Sequence, residues 1–328
     1  MNNKKKKTVV LLATGGTIAG TGKPGSQTDY VPGTLSIEKI ASTIQGLDKL
    51  ASLKEIQIAN VNSDDITTHN WIELARQINT LSIDPNIDGF VITHGTDTME
   101  ETAYFLHLTA HTDKPIVVTG AMRPSTATSA DGPMNLYQAV AVASSDAAKG
   151  KGVICVFSDS IYGARDFQKL STTSVTAFGG RDFGMMGYII DNEIIFYNES
   201  TRRHTLSSPF FVDNLSSLPK IEIVLFYVDA DPVIIEDAAK RSDGLIIVGA
   251  GNGNYSNSFN MMIGKLDIPV VRTSRIGNGL IVPDSKFDIY PNIILADNLS
   301  PTKARILLQL ALTITKDRDK IQEFFSIF

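Results

Sequence analysis

The 328 residues contain a single cysteine, Cys155. No intrachain disulfide can therefore form, and the chain gives no redox compartment by this route. Cys155 sits inside the apolar run Val153-Ile154-Cys155-Val156-Phe157, the setting of a buried core thiol. No apolar run reaches the ~18 residues that read as a membrane-spanning helix. Positive charge is also short: 30 Lys and Arg against 35 Asp and Glu give a net charge of −5. The one basic cluster, lysines 4–7, reads as a solvated tail, so no electrostatic footprint for nucleic acid or an anionic membrane is present. Nucleotide signatures are missing as well. The turn at Gly15-Gly16-x-x-x-Gly20 is not the G-x-G-x-x-G fingerprint, and no lysine follows as a P-loop requires. Neither an internal repeat nor a low-complexity segment is seen.

What remains is an ordinary globular composition, 43% hydrophobic and 20% charged, with length for about two domains. Strand patterns at 9–13, 56–60, 89–93, 116–119 and 152–157 alternate with helical patterns at 37–45, 71–81, 99–109 and 133–147. That alternation predicts an α/β fold with a doubly wound, mainly parallel sheet. A hairpin is expected at 188–197, turning at Asp191-Asn192. Residues 1–198 form the expected N-terminal catalytic domain, 199–220 an interdomain linker, and 221–328 a second, smaller α/β domain. Strands at 221–228, 244–248 and 269–273 and a helix at 233–240 belong to the latter. A last helix begins at Ser300, which can cap it, with Pro301 in the first helical position. Lysines 4–7 followed by 9–13 imitate a short secretory leader. The apolar part is too brief and runs into Gly15-Gly16, so a first strand in a cytoplasmic chain is the expectation. A periplasmic location follows instead if a leader was removed.

The loops that end these strands hold the chemistry. Ligands in open α/β sheets bind at the carboxyl edge. V-I-T-H-G-T-D-T-M-E-E-T-A, residues 91–103, passes from strand to helix through Thr93, His94, Thr96 and Asp97. Thr98-x-x-Glu101 also fits a capping box, so helix capping competes with a site here. Gly15-Gly16-Thr17 follows the first strand; Thr17 is either a nucleophile or a turn-capping hydroxyl. Asn62-Ser63-Asp64-Asp65 offers a hydroxyl and two carboxylates for an ammonium and a carboxylate, or else caps the next helix. Loops 120–125, with Ala121, and 129–133 suit site walls or tight packing. Lys169 with Asp97 and a threonine would make a nucleophile–base–orienter set, if the fold brings them together. Tyr30 lies in the long polar stretch 23–32, which reads as a lid or as a packed loop.

These segments together resemble the asparaginase/glutaminase family, in its bacterial type II L-asparaginase branch. The matches are A-T-G-G-T-I-A-G (13–20), Tyr30, N-S-D-D (62–65), 91–105, G-A-M-R-P-S-T (120–126), S-A-D-G-P-M-N-L (129–136), A-R-D-F-Q-K (164–169), G-N-G-N (251–254) and 303–313. They run in order through nearly the whole chain. The resemblance implies hydrolysis of L-asparagine to L-aspartate and ammonia, with L-glutamine as a secondary substrate. It implies Thr17 as nucleophile beside Tyr30, and Thr96, Asp97 and Lys169 as a second catalytic set. Ser63, Asp64, Asp97, Thr96, Gly16 and Ala121 are the implied substrate contacts, with Asn254 reaching in from a neighbouring subunit. No metal or organic cofactor is implied, and the implied assembly is a homotetramer, a dimer of dimers. The chain departs from the pattern at Asp64, where many relatives carry Gln or Glu, and at Lys286, where relatives carry a glutamate. Two other readings compete: a partner-dependent amidase subunit and a non-catalytic nucleotide-binding protein.

Overall fold

In the computed structural model the described residues are 6–23, 30–31, 33–34 and 36–328. They divide into two compact units, residues 1–208 with 212–214, and 209–211 with 215–328. The segment 199–220 is shared between them. Thr205–Ser207 forms a 3-10 turn, and the Ser208 hydroxyl donates to the Leu108 carbonyl within the first unit. Phe210 packs in the second unit against Phe324, edge-on, and Phe328, tilted, with ring centroids 5.2 Å from each.

The first unit runs β1 Thr8–Gly15, β2 Thr21–Gly22, β3 Tyr30–Val31, α1 Ile37–Thr43, α2 Leu47–Leu50, β4 Ser52–Val61, α3 Thr68–Ser82, β5 Gly89–Thr93, α4 Met99–Thr109, β6 Ile116–Thr119 and α5 Gly132–Ala143. It continues with β7 Val153–Phe157, β8 Ser160–Gly163, β9 Phe167–Lys169, β10 Phe178–Gly180, β11 Gly187–Ile190 and β12 Glu193–Phe196. An eight-stranded sheet has the order β12-β11-β8-β7-β6-β5-β1-β4. Strands β4, β1, β5, β6 and β7 are parallel, and the far edge from β8 is antiparallel. The central strands are buried on both faces, which is why they read as unbroken apolar runs. Val9, Leu11 and Val91 pack with Leu136, Ala139 and Val140 of α5 on one side. Trp71 of α3 stacks on Phe105 of α4, centroids 5.3 Å apart.

Chain order and strand order disagree at one place. From β1 the chain crosses to β4 on one flank, then returns past β1 to β5 on the other. In such a sheet the carboxyl ends of the strands at this reversal, β1 and β5, are where a ligand site is expected. Lys169 does not ride on this sheet. It ends β9, which pairs only with β10 as a two-stranded antiparallel ribbon anchored by Phe167 stacked on Phe178, centroids 4.4 Å apart.

The second unit has β13 Ile221–Leu225, α6 Val233–Ala239, β14 Gly244–Gly249, α7 Asn257–Ile263, β15 Val270–Ser274, β16 Ile293–Leu295, α8 Pro301–Leu312 and α9 Arg318–Ile327. Its four strands are parallel in the order β13-β14-β15-β16. Ser300 caps α8 as expected, but α8 is not the last helix. Asp317 caps α9, which buries Ile321, Phe324 and Phe325. Strand β13 also stops at Leu225, short of the expected 228. The capping box at 98–101 is not formed: the Thr98 side chain makes no cap bond and donates to the Ser63 carbonyl at 2.6 Å. Helix α3 is capped by Thr67 and Asn70 rather than by residues 62–65, which form a 3-10 turn of their own. Lys7 is no solvated tail residue. Its ammonium lies 3.1 Å from Asp88 and 3.1 Å from Asp146, and these two hydrogen-bonded carboxylates raise its pKa. Lys4 and Lys5 lie outside the described residues.

A fully buried arginine organises the loops of the second unit. Arg272 grips Asp288 at both oxygens, Nε–Oδ1 2.8 Å and Nη2–Oδ2 2.7 Å, and donates to the carbonyls of Asn252 and Val282. Asp288→Ala leaves that guanidinium buried without its counterion. The expected cost is about 3–5 kcal/mol, read as a lower denaturation midpoint at unchanged slope. A loss under 1 kcal/mol would show the pair is not a brace.

Candidate active site

Strand β1 is stapled to β5 by the Thr14 hydroxyl, which donates to the Thr93 carbonyl at 3.0 Å. Beyond it Gly15 and Gly16 take φ of 105° and 81°, a region that side chains resist. Space forbids a side chain too. A Cβ on Gly16 would lie 2.4 Å from Gly95 Cα, and one on Gly95 would lie 2.8 Å from Ser63 Cβ. Three turns, from β1, β5 and β4, thus meet through nearly bare backbone. Thr17 opens the 3-10 turn Thr17–Ala19 directly after this contact and is buried.

The turn after β5 carries the charged centre. Lys169 Nζ donates to Thr96 Oγ1 at 2.9 Å and to Asp97 Oδ1 at 2.6 Å. Thr96 is buried; the side chain of Lys169 is 17% exposed and that of Asp97 69%. The ammonium is therefore sunk behind the turn, while the carboxylate faces outward and keeps acceptor capacity for a ligand cation. Because Thr96 Oγ1 accepts from lysine, its own proton is left to point elsewhere. Ser63 ties in the third turn: its Oγ accepts the Asp97 N–H at 3.2 Å.

The loop that carries Ala121 is held from within. Asp131 accepts the N–H groups of Met122 and Arg123, both at 2.9 Å, and Asn135 donates to the Gly120 carbonyl at 3.0 Å. Ser125 in turn bonds the Gly20 carbonyl at 2.8 Å, and a Cβ on Gly132 would lie 3.0 Å from Ile18. The loop is thus fastened onto the Thr17 turn.

His94 points the other way, into the core. Trp71 Nε1 donates to Thr102 Oγ1 at 2.7 Å, and that hydroxyl lies 2.8 Å from His94 Nε2. His94 Nδ1 lies 2.7 Å from the Gly95 carbonyl, which can only accept. The proton therefore sits on Nδ1, and Nε2 accepts from Thr102. Burial pushes this imidazole down to about 4, partly opposed by the Gly95 carbonyl.

Of the residues expected at the site, Gly16, Thr17, Ser63, Thr96, Asp97 and Lys169 belong to turns that touch or bond one another. Ala121 belongs to the loop fastened to them. Asp64 is exposed on the 3-10 turn Ser63–Asp65. The Tyr30 side chain and residues 24–29 lie outside the described residues; β3 pairs with β2, Gly22 opposite Tyr30. Asn254 belongs to the second unit, where it bridges Ala250 across a tight loop. Sequence reasoning gave no role to Glu100, whose carboxylate accepts the Lys169 backbone N–H at 2.9 Å. Its spacing of three residues from Asp97 at a helix start was the available signal. No cluster suited to a metal ion occurs among the described residues.

The fold and these contacts define a two-domain α/β protein with a threonine–lysine–aspartate site at a sheet switch point. A family model described as "Asparaginase, N-terminal" matches residues 8–202, and "Glutaminase/Asparaginase C-terminal domain" matches 220–325. The chain is 43% identical over 323 residues to L-asparaginase 2 of Escherichia coli, covering 97% of this chain and 92% of that one. It is 40% identical to a glutaminase-asparaginase of Acinetobacter glutaminasificans, covering 98% and 99% of the two. A crystal structure of a probable cytoplasmic L-asparaginase from Campylobacter jejuni superposes with a TM-score of 0.94 at 42% identity, covering 98% of this chain and all of that one. The chain belongs to the asparaginase family.

The burial of His94 sets a pH dependence. The unfolded imidazole protonates below ~6.5, while the folded one resists to about 4. Its contribution is complete above pH 6.5 and is lost as pH falls through 4, in total about 3 kcal/mol. His94→Gln is expected to flatten this part of the stability profile between pH 6.5 and 4. An unchanged slope in urea titrations across that range refutes the assignment.

Proposed function

We propose that the protein is an L-asparaginase, an amidohydrolase that converts L-asparagine to L-aspartate and ammonia through Thr17, with L-glutamine as a secondary substrate. The observation that carries this reading is Lys169 Nζ bonded at once to Thr96 and Asp97, on a turn in backbone contact with the turn of Thr17. The names of the relatives support the substrate class.

In this reading Thr17 Oγ1 attacks the side-chain amide carbon. The tetrahedral oxyanion collapses with loss of ammonia, leaving an ester on Thr17. Water then attacks the ester, and a second tetrahedral species releases aspartate. Backbone N–H groups and the Thr96 hydroxyl stabilise the oxyanion, each donor of this kind being worth about 3 kcal/mol. Lys169 orients Thr96 and offsets the charge that develops beside it. The exposed carboxylate of Asp97 takes the substrate α-ammonium, with Asp64 assisting. Ser63 and neighbouring N–H groups take the α-carboxylate, and Gly16 and Ala121 line the amide. Tyr30 sits beside the nucleophile.

A homotetramer, a dimer of dimers, is part of the proposal, with Asn254 of one chain completing the site of another. Exposed apolar side chains support association: Tyr188 and Ile190 on β11 with Tyr197 just after β12, and Ile223 and Leu225 on β13 with Tyr227 and Val228 just after it. The domain reading is kept as residues 1–198, a linker and 221–328, with catalysis assigned to the first.

Ammonia release from L-asparagine is the direct test. The wild type is expected to turn over. Thr17→Ala and Lys169→Met are each expected to lose at least ~10³-fold in kcat with the fold intact. Full activity in Thr17→Ala sinks the nucleophile assignment. Light scattering should return about four times the chain mass of 35.6 kDa; a monomer that turns over normally removes Asn254 from the site. Asp64→Glu lengthens the acid by one methylene and is expected to shift the asparagine-to-glutamine kcat/KM ratio by about tenfold; a ratio that stays put shows that Asp64 does not read substrate length.

A further inference from the structure

The catalytic reading leaves one carboxylate near the site without a part. Glu100 stands in the first turn of α4, half-buried, three residues after Asp97. Its Oε2 accepts the backbone N–H of Lys169 at 2.9 Å, across 69 residues of chain. Lys169 is thereby held at both ends by acids from one helix start: Asp97 on the ammonium, Glu100 on the main chain.

The ribbon explains why a second hold is needed. Lys169 pairs with Phe178, and the neighbouring Leu170 N–H donates to the Ala177 carbonyl at 2.7 Å. In an antiparallel pair the bonded positions alternate, so the Lys169 N–H turns away from β10. Among the described residues no ladder partner lies on that edge, and β9 has no pairing with the main sheet. The Glu100 carboxylate fills this vacancy and ties the ribbon to the helix that carries Thr96 and Asp97 at its entrance. A lysine side chain has four rotatable bonds and loses much entropy on being fixed. If its Cα also drifts, the ammonium reaches Thr96 in fewer of its conformers. A first-turn glutamate also suits the positive helix end. Glu101 in the same turn suits it too, so the helix end alone does not account for Glu100.

We propose that Glu100 is a positioning residue for the reaction: by accepting the Lys169 backbone N–H it fixes the base of the side chain whose ammonium acts on Thr96. This rests on the amidohydrolase reading above. Glu100 touches no substrate atom, so its loss acts on turnover rather than on binding.

Four variants and three readouts test it. Glu100→Ala is expected to lower kcat for asparagine ten- to thirtyfold with KM within about twofold, and to speed amide exchange in the 167–170 segment. Glu100→Gln keeps a carbonyl acceptor and is expected to stay within about threefold of wild type, with exchange unchanged. In a double-mutant cycle, Glu100→Ala added to Lys169→Met should cost no further turnover, because the residue being positioned is gone. A helix-stabilising role alone predicts the opposite pattern: an equal loss of midpoint in both single variants, unchanged kcat per folded chain, or losses that add in the double mutant. Any of these overturns the proposal, as does unchanged exchange in Glu100→Ala. A wild-type chain that releases no ammonia sinks the amidohydrolase reading and the catalytic part with it. The exchange measurement still decides separately whether Glu100 holds the ribbon.

Discussion

Backbone meeting backbone is the constraint behind the site. At the sheet's switch point the turns after β1, β5 and β4 approach until a Cβ on Gly16 would stand 2.4 Å from Gly95 and one on Gly95 would stand 2.8 Å from Ser63. Everything chemical is suspended from that contact. Thr17 follows the first turn, Thr96 and Asp97 the second, and the Ser63 hydroxyl closes the third onto Asp97. The glycines have no chemistry of their own. Their missing side chains let turns from separate strands close on one another, an approach that bulkier residues would prevent.

Onto this bare junction the chain adds a charge from outside the sheet. Lys169 arrives on a two-stranded ribbon whose base is packed by Phe167 and Phe178, and its ammonium ends between a buried hydroxyl and an outward-facing carboxylate. The division of exposure matters. The cation is shielded and so polarises Thr96 through little water, while Asp97 keeps a free side toward solvent, where an incoming ammonium can bind. His94 belongs to a different task. It is locked as a neutral ring that accepts from Thr102 and donates to the Gly95 carbonyl, and so holds the peptide that leads into Thr96.

Much of this was legible in the residues. The strand–turn–helix passage at 89–109 was visible from its apolar run and the periodicity after it, and both parallel sheets followed from the alternation of patterns. Thr98-x-x-Glu101 misled, because the same spacing serves a cap or a tertiary bond, and only space could reveal that the Thr98 hydroxyl faces Ser63. Helix α9 escaped because its four apolar positions lie among charges, although Asp317 and the spacing of Ile321, Phe324 and Phe325 do mark it. Lys169 had no local structural signal: a three-residue strand carries no period, so its meeting with Thr96 and Asp97 stayed conditional until the family resemblance implied it. Arg272 was silent because its partner stands 16 residues away, and the spacing of Glu100 from Asp97 could not point to a partner 69 residues on.

The pairing of β1 with β4 is not regular. Ala13 faces Gln57, yet Gly15 faces Val61, so two residues on one strand answer four on the other. The surplus length is taken up just before the 62–65 turn. How far that turn overhangs the crevice is therefore written in a step of the main chain, not in any side chain. Trimming a residue at 58–60 would draw the rim inward and reverse which side chains look toward the ligand.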